Sequence, residues 1–574
     1  MVNWYYRLDI STSTGFRHLN MARSPLITTL RHAYRVAQLS RKSGIPPAEV
    51  LDSLHQTISR RRLLRGSLAV ATATAAVTFR RNGHPAVAQS RNSSILIVGA
   101  GIAGLTAGYR LKQAGVPVDI IEARSRVGGR IRSLANAVGT QLTAELGGEF
   151  INTAHTSLRR LATELGFKLV DLLAAHPGLS DTYFFEGRKI PLTDIIRDFA
   201  PVAGQISADL EASKNFESYA VFDAPTAQLD RLSITQYLER IPTTPMMRQL
   251  IRVAYTIEFG RDAEEQSCLN LLYGIGTQPG EFHIFGTSDE RFYIDGGNDQ
   301  VPRRLAQLLG DSLQTGTALE SLRSLPDQRY RVALRSGSRT FERTYERILL
   351  TVPFSVLREI PLNVDLPPVK RLAISSLGYG SNAKLITGYQ EKVWRTRYGS
   401  NGNLYSDLGF QNVWECSHSR YTAGPGLLTN YTGGQQGLVL GTGTSEVHAQ
   451  SLVTQLEQIF PGLRAAQLPG RANRVYWTGE PYTRGSYSCY LVGQWTQLSG
   501  VEGERVGNLF FAGEHTSREY QGYMEGGCET GEAAALAILQ DLGMRADAAE
   551  QSARIVENQR LRLRPSRRFP FRVA

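Results

Sequence analysis

The hydrophobic pattern of the chain begins to predict regular structure at residue 94. Residues 94–98 form a continuous apolar run of strand length, which is typical of a parallel strand buried on both faces. A glycine-rich turn follows, and residues 105–113 have the pattern of a helix. Residues 118–121 form a second apolar run, which ends on Glu122. This order of strand, turn, helix and strand predicts an α/β protein that begins with a βαβ unit.

The turn between this strand and this helix has the glycine spacing of a dinucleotide-binding site. Gly99 permits the tight turn, and Gly101 allows the backbone to approach a pyrophosphate. Gly104 allows the helix to pack closely on the strand, and Ala103 beside it is a further candidate cofactor contact. The helix N-terminus faces the negative charge of the phosphates. Glu122 follows eighteen residues later, where an acid accepts hydrogen bonds from an adenosine ribose.

Two further segments extend this candidate site. Residues 123–130 end on a Gly-Gly-Arg element, which places flexible backbone next to a permanently charged guanidinium that can pair with phosphate. Residues 144–150 contain a second glycine pair followed by an acid. The candidate cofactor contacts in the two segments are Ala123, Arg124, Gly129, Arg130, Gly147, Gly148 and Glu149.

Residues 508–516 read Asn-Leu-Phe-Phe-Ala-Gly-Glu-His-Thr, and residues 522–527 read Gly-Tyr-Met-Glu-Gly-Gly. With the early segments, and in this order, they resemble the flavin-containing amine oxidases, which include monoamine, polyamine and L-amino-acid oxidases. The resemblance covers residues 93–542 and implies that the cofactor is FAD. The other positions that match the family's FAD contacts are Ala318, Trp477, Gly513, Glu514 and Met524.

The same resemblance implies a Rossmann-like FAD-binding domain interleaved with an α+β substrate domain. We expect the FAD-binding domain to comprise residues 92–165, 291–355 and 475–545. The substrate domain is expected to comprise residues 166–290 and 356–474. The chain therefore crosses between the two predicted domains several times.

Oxidation of a C–N bond by a flavin needs a neutral amine whose α-carbon faces the flavin, and aromatic walls that exclude water favour this. Tyr487 and Tyr523 match the family's two aromatic cage positions. Lys384 matches the lysine that holds a water beside the flavin, where its charge favours electron transfer to O2. Ser486 stands where some relatives carry a cysteine bonded to the flavin. We therefore predict non-covalent FAD, since Cys489, three residues further on, is poorly placed to substitute.

The residues after the second glycine pair bear on the choice of substrate. Relatives that oxidise amino acids place an arginine there to bind the carboxylate, whereas this chain has Phe150. Arg261 or Arg291 from another element remains an alternative clamp. Glu149 is a candidate partner for a distal ammonium or for backbone amides, and Asn152 stands near where polyamine oxidases carry an acid.

The leading prediction is an oxidase that converts a primary or secondary amine to an imine, which hydrolyses to an aldehyde, with O2 reduced to H2O2. An L-amino-acid oxidase that forms a 2-oxo acid is the alternative. Desaturase-like or porphyrinogen-oxidase-like flavoenzymes and a non-catalytic exported flavoprotein are further alternatives. The two cage tyrosines and Lys384 argue against the desaturase group.

Charge changes this interpretation little. The net charge of +12 is concentrated in residues 1–88 and in the tail, so that the body between them is mildly acidic and a poor nucleic-acid binder. The basic tail, residues 550–574, is predicted to be solvated, with weak contact to an anionic surface as the alternative. The four cysteines show no spacing typical of a metal site, so no metal is expected.

Residues 59–88 resemble a twin-arginine signal. Arg60, Arg61 and Arg62 precede an apolar run that is too short to span a membrane, and an Ala-Val-Ala site follows at residues 86–88. The sequence thus predicts export of the folded protein by the twin-arginine machinery, with a cytoplasmic location as the alternative. Residues 1–58 form an N-terminal extension of unassigned role, and the sequence does not predict the oligomeric state.

Overall fold

The computed structural model describes residues 94–173, 178–417 and 424–544. The predicted extension (1–58), the predicted signal segment (59–88) and the predicted basic tail (550–574) lie outside the described residues. The strands, in chain order, are β1 (Ile95–Val98), β2 (Asp119–Glu122), β3 (Ser133–Leu134), β4 (Ala144–Glu145), β5 (Leu169–Asp171), β6 (Ser180–Phe185), β7 (Arg188–Lys189), β8 (Phe292–Ile294), β9 (Leu313–Thr315), β10 (Thr317–Ser324), β11 (Tyr330–Ser336), β12 (Arg339–Tyr345), β13 (Arg347–Leu350), β14 (Leu362–Asn363), β15 (Ala383–Tyr389), β16 (Ser400–Ser406), β17 (Asn412–Glu415), β18 (Gly426–Thr432), β19 (Gln467–Tyr476) and β20 (Leu509–Phe511).

The α-helices, in chain order, are α1 (Ile102–Gln113), α2 (Thr156–Glu164), α3 (Leu192–Ala212), α4 (Ala224–Asp230), α5 (Ile234–Arg240), α6 (Pro245–Phe259), α7 (Cys268–Gly274), α8 (Gln300–Leu309), α9 (Phe354–Leu357), α10 (Pro368–Ser376), α11 (Val393–Thr396), α12 (Gly434–Leu440), α13 (Ser445–Ile459), α14 (Leu463–Ala466), α15 (Gln494–Leu498) and α16 (Met524–Asp541). Short 3-10 turns join several of them. No helix within the described residues is both long and apolar enough to cross a membrane.

The predicted parallel sheet is present, and the predicted α/β fold class is confirmed. Five parallel strands lie in the order β20-β13-β1-β2-β9. The side chains of β1 are buried along its whole length, as the continuous apolar run predicts. The strand order changes direction at β1, since β2 lies on one side of it and β13 on the other. Ligands of doubly wound sheets bind beyond the carboxyl end of the strand at such a point.

A second, seven-stranded sheet lies in the order β19-β15-β18-β17-β16-β6-β7 and is mainly antiparallel. Three of its neighbouring strands bring side chains to the candidate site, because Lys384 lies on β15, Trp414 on β17 and Tyr431 on β18. A four-stranded sheet, in the order β12-β11-β10-β14, completes the larger β structure. The predicted division into two interleaved domains stays a prediction.

Glycines bring α16, near the end of the described residues, against α1 at their beginning. A Cβ atom built on Gly531 would lie 2.3 Å from the carbonyl oxygen of Ala103, and one on Gly527 would lie 2.6 Å from Cγ2 of Ile102. The two glycines are four residues apart, so they lie on the same face of α16. This close contact places the start of α16 beside the glycine-rich turn that precedes α1.

The helix contact gives a prediction for stability. The substitution Gly531→Ala places a methyl group against the backbone of Ala103 in α1. It should lower the free energy of unfolding by about 1–3 kcal/mol. Gly204→Ala in α3 is a matched control, since a Cβ there meets no atom within 4 Å. It should be neutral, or stabilise by about 0.5–1 kcal/mol. Denaturant unfolding of both variants checks this, and equal effects would contradict the close packing.

Candidate active site

The glycine-rich turn has the geometry that a dinucleotide requires. Gly99 has a φ of +107°, which a side chain would strain, and its amide donates to the carbonyl of Ile121 at 2.8 Å. A Cβ atom on Gly104 would lie 2.1 Å from the carbonyl oxygen of Gly99, so that only glycine fits there. A Cβ atom on Gly101 would meet nothing within 4 Å. The backbone at Gly101 thus borders open space at the N-terminus of α1, where a pyrophosphate fits.

Glu122 ends β2 beside this turn. Its two carboxylate oxygens accept hydrogen bonds from the amides of Ala100 and Arg124, both at 2.9 Å. Each oxygen keeps a second lone pair, so the side chain retains the capacity to accept from a ribose hydroxyl. Thr315 pairs with Glu122 across the sheet, and Ala318 follows three residues later, buried at the start of β10. The predicted ribose and adenine contacts therefore lie at the same edge of the sheet.

An ion pair between the half-buried Arg130 and the buried Glu514 joins the Gly-Gly-Arg element to the downstream motif. Nη1 of Arg130 donates to Oε1 of Glu514 and to the carbonyl oxygen of Ser486, both at 2.7 Å. Glu514 also accepts hydrogen bonds from the hydroxyl of Ser488 at 2.7 Å and from the amide of Gly522 at 2.9 Å. Burial opposes ionisation of Glu514, but the charges of Arg130 and His515 and the hydrogen bonds from Arg130 and Ser488 together outweigh it and hold the carboxyl pKa below its usual value.

Residues 146–149 form a loop on which many predicted cofactor contacts converge. The amide of Gly148 donates to the carbonyl of Arg130 at 3.1 Å. Nε1 of Trp477 donates to the carbonyl of Leu146 at 3.2 Å. A Cβ atom on Gly148 would lie 2.7 Å from Cγ of Met524 at the start of α16. Segments that are far apart in the sequence thus meet at Gly147 and Gly148, where the close packing leaves no space for a Cβ atom.

Several predicted contacts lie at the rim of this arrangement. Arg124 is held by the carbonyl of Tyr482 at 3.3 Å and the hydroxyl of Thr483 at 3.0 Å. Gly129 has a φ of +56°, and a Cβ atom on it would lie 3.4 Å from Cα of Gly101. Ala123 follows Glu122 directly at the end of β2. The structure therefore brings the contacts predicted in residues 123–130 next to the turn.

His515 carries polar atoms that these contacts leave unsatisfied. It is buried, both of its ring nitrogens lack hydrogen-bond partners within the described residues, and burial lowers its pKa to about 4. Gly513 beside it has a φ of +138°, and a Cβ atom there would lie 2.7 Å from the imidazole. Orphaned buried nitrogens beside an obligatory glycine are what a polar cofactor can satisfy. The described residues therefore fit FAD.

Tyr487 and Tyr523 lie near each other, and Tyr431 is a third member of the group. The hydroxyl groups of Tyr431 and Tyr487 are 2.9 Å apart, and Tyr487 also donates to the carbonyl of Ile257 at 3.1 Å. The hydroxyl of Tyr523 donates to Oε1 of Glu258 at 2.9 Å. We call Tyr431, Tyr487 and Tyr523 the tyrosine group. Sequence reasoning identified two of its members and missed both Tyr431 and Glu258.

Lys384 is buried beside the tyrosine group and is not a solvated surface lysine. Its ammonium lies 2.7 Å from Oε2 of Glu149 and 2.9 Å from the carbonyl oxygen of Gly147. Nε1 of Trp414 donates to the other oxygen of Glu149 at 3.1 Å. Glu149 was predicted as a possible partner of a substrate ammonium or of backbone amides. In the structure its carboxylate contacts Lys384 and Trp414.

The residues considered for substrate specificity have different surroundings. The ring of Phe150 lies 5.6 Å from that of Trp414, close to Glu149. Asn152 is buried and accepts a hydrogen bond from the amide of Glu290 at 2.9 Å. Arg261 pairs with Glu265 at 2.5 Å, and Arg291 pairs with Asp171 at 2.7 Å. Each arginine proposed as an alternative carboxylate clamp therefore already contacts an acid.

Glu290 differs in its surroundings from an ordinary surface glutamate. Its side chain is exposed, and yet burial is the largest cause that raises its pKa to about 8. A group has both properties when it borders a water-accessible recess that protein surrounds. The further causes are the negative charges of Glu258, Asp181, Glu149 and Asp289. Because Lys384 compensates the charge of Glu149, the recess owes its negative charge to Glu258, Asp181 and Asp289. Glu290, whose φ is +43°, was not predicted from sequence.

Ser486 and Cys489 are both buried, at different places. The hydroxyl of Ser486 donates to Oδ1 of Asn382 at 2.6 Å. The thiol of Cys489 lies 3.7 Å from the side-chain amide of Asn270, and burial raises its pKa. All four cysteines are buried and form no disulfide. The described residues contain no group of His, Cys, Asp and Glu side chains suited to hold a metal ion.

Comparisons with known proteins agree with this geometry. Residues 102–539 match the family model described as flavin containing amine oxidoreductase. The chain is 24% identical over 470 residues to the flavin-containing amine oxidase of Oncorhynchus mykiss, covering 78% of this chain and 86% of the relative. It is 26% identical over 466 residues to flavin-containing amine oxidase B of Homo sapiens, covering 79% and 87%.

Two solved structures show the same fold. Cyclohexylamine oxidase from Brevibacterium oxydans IH-35A superposes with a TM-score of 0.67 at 21% identity, over 79% of this chain and 99% of that one. Wild-type putrescine oxidase bound to putrescine superposes with a TM-score of 0.66 at 20% identity, over 78% and 99%.

The surroundings of Glu290 give a pH-dependent prediction. A glutamate in an unfolded chain has a pKa of about 4.3, whereas that of Glu290 in the folded protein is about 8. The folded state binds this proton more tightly, so the contribution of Glu290 to stability is present at low pH and is lost as the pH rises through about 8. Glu290→Gln cannot ionise and should therefore lose less stability on going to alkaline pH.

Thermal unfolding midpoints at acidic and alkaline pH measure this effect. The difference between the unfolding midpoint of Glu290→Gln and that of the unsubstituted protein should be more positive at alkaline pH than at acidic pH. Glu186→Gln is the control, since Glu186, between β6 and β7, is also an exposed glutamate with positive φ but is not among the acids whose charges act on Glu290. A difference for Glu290→Gln that is the same at both pH values would contradict the buried negative recess.

Proposed function

The chain belongs to the family of flavin-containing amine oxidoreductases and uses FAD, and we propose that it oxidises primary or secondary amines to imines with O2 as the acceptor. The imine hydrolyses to an aldehyde and ammonia or an amine, and O2 is reduced to H2O2. The observation that carries the choice of substrate is the negative recess beside the tyrosine group. It favours a substrate that arrives as a cation and carries no carboxylate.

The residues that would hold FAD are those gathered around the glycine-rich turn, the loop 146–149 and Glu514. When bound, FAD accepts a hydride equivalent from the carbon next to nitrogen. Ser486, the position of the covalent bond in some relatives, has a hydroxyl that donates to Asn382 and cannot form a thioether. This supports non-covalent FAD, which acid or heat denaturation should release from the protein.

The tyrosine group would orient the amine. Phenol rings exclude water from a reacting nitrogen without adding a competing charge. Hydrogen bonds fix two of the rings, since Tyr487 contacts Tyr431 and Tyr523 contacts Glu258. The imidazole of His155 supports Tyr523 in an edge contact, with ring centres 5.2 Å apart. A substrate held between fixed rings keeps its α-carbon in one orientation, which is what hydride transfer requires.

The carboxylates of the recess would attract the amine. Alkylamines are cations at neutral pH, and a negative recess raises their local concentration. The same charges repel the carboxylate of an amino acid. The two arginines considered as clamps pair with Glu265 and Asp171 instead. These observations favour an amine over an L-amino acid, which stays the alternative function.

Export by the twin-arginine machinery is proposed from the sequence alone. Residues 59–88 carry the paired arginines, the apolar run and the small-residue site. Such a route carries folded proteins, which suits one that binds a cofactor before translocation. If this proposal is right, replacement of Arg60, Arg61 and Arg62 by lysine should leave the protein inside the cell.

Matched substrate pairs test the choice of substrate. Each pair is an amine and the amino acid that gives it on decarboxylation, such as 2-phenylethylamine and phenylalanine. The two members then differ only by the carboxylate. We expect kcat/KM for the amine to be higher by about tenfold or more, since one unfavourable ionic contact costs about that much. H2O2 production in a peroxidase-coupled assay is the measurement.

The variant Glu258→Gln should lower the ratio of kcat/KM for the amine to kcat/KM for the amino acid, because it removes one negative charge beside Tyr523. Glu186→Gln, at an exposed glutamate, serves as the control and should leave the ratio unchanged. A higher kcat/KM for the amino acid would overturn the proposed substrate. H2O2 from neither member of any pair would overturn the oxidase activity itself.

A further inference from the structure

The ammonium of Lys384 is surrounded by acceptors from one loop. It donates to Oε2 of Glu149 at 2.7 Å and to the carbonyl oxygens of Gly147 at 2.9 Å and Glu145 at 3.1 Å. An ammonium has three N–H donors. Three protein acceptors therefore match its full capacity, and the lysine is fixed on the loop that carries the glycine pair.

The ion pair is almost completely removed from solvent. The side chains of Lys384 and Glu149 are 6% and 2% exposed. Trp414 covers the pair, since its indole nitrogen donates to Glu149 and the Lys384 ammonium lies 5.1 Å from its ring centre. The ring of Tyr431 lies 5.9 Å from the ammonium on the side of the tyrosine group. The pair thus lies where the loop 146–149 meets the tyrosine group.

We infer that Glu149 is a positioning residue that sets the net charge which Lys384 presents to the bound flavin. The inference rests on the proposed function. Opposite charges 2.7 Å apart largely cancel for a group further away. The flavin site therefore meets an ion pair and not a lone cation. The protein can then vary the electrostatic effect of Lys384 through a residue that need not touch the substrate.

The two members of the pair should have opposite effects on the flavin. Reduction adds negative charge to the flavin, and a nearby positive charge favours it. Loss of the Glu149 charge leaves the ammonium uncompensated and should raise the midpoint potential. Loss of the Lys384 charge leaves the carboxylate uncompensated and should lower that potential. The transfer of two electrons and two protons to O2, which forms H2O2, should respond to the same charges.

The test uses the flavin-loaded full chain with Glu149→Gln, Lys384→Met and the double variant. Glutamine retains an oxygen that can accept from Trp414. The midpoint potential of the bound flavin is measured spectroscopically during reduction with a chemical reductant. We expect a positive shift for Glu149→Gln, a negative shift for Lys384→Met and an intermediate value for the double variant. Lys384→Met should also slow reoxidation by O2 about a hundredfold, and reduction by the amine much less.

A second buried ion pair of the same sheet is the matched control. Lys392 and Glu415 are 3.0 Å apart, and both side chains are 3% exposed. Glu415 follows Trp414 on β17, so its side chain points to the opposite face of the sheet. Glu415 also pairs with Arg395, so Glu415→Gln removes a buried carboxylate from a group with two cations, and it should leave the midpoint potential of the flavin unchanged.

The outcomes of this test distinguish a failure of this inference from a failure of the proposed function. An unshifted potential in Glu149→Gln, or a shift of the same sign as that in Lys384→Met, would overturn the inference. The chemical reductant makes the potential measurable even if no amine reduces the enzyme, and that result would overturn only the proposed function. Loss of a partner from a buried ion pair destabilises a protein. The double variant leaves no unpaired charge. Its midpoint potential should lie between those of the two single variants.

Discussion

The ion pair between Arg130 and Glu514 is the interaction on which the candidate site depends. It joins the Gly-Gly-Arg element to a motif more than three hundred residues further along the chain. The same guanidinium holds the carbonyl of Ser486, and the same carboxylate holds the loop before Tyr523. Removal of the Arg130 charge leaves the buried Glu514 carboxylate without its ionic partner. The ion pair therefore acts together with the close contact between α1 and α16 to hold the glycine-rich turn and the tyrosine group in place.

Positive and negative charges lie in different parts of the site. Positive charge serves the cofactor, because Arg130 and the N-terminus of α1 lie where phosphates are expected. Negative charge surrounds the substrate recess, where burial and then the charge of Glu258 oppose ionisation of Glu290 and raise its pKa. Between the two regions stands the Lys384–Glu149 pair, which is neutral as a whole. An amine would thus pass through a negative recess to reach a centre that the pair keeps near neutrality.

Local sequence predicted the parts of the structure that depend on local chemistry. The glycines at 99, 101 and 104 and the apolar strands could be identified because backbone geometry and burial restrict those positions directly. The tyrosines at 487 and 523 were found through a family motif. Tyr431, Glu258 and Glu290 were missed, since each is placed by a sheet, helix or loop whose packing partner is distant in sequence. The contact of Glu149 with Lys384 was not predicted either, because it forms only when β15 packs against the loop 146–149.

The central claim is that these distant segments build one site that holds FAD beside an amine. The most direct measurement is the visible absorbance of the purified full chain before and after anaerobic addition of an amine. We predict a yellow protein whose oxidised flavin band is bleached by the amine and returns when O2 is admitted. A protein that binds flavin, is bleached by a chemical reductant and yet is left unchanged by every amine and amino acid would contradict the account.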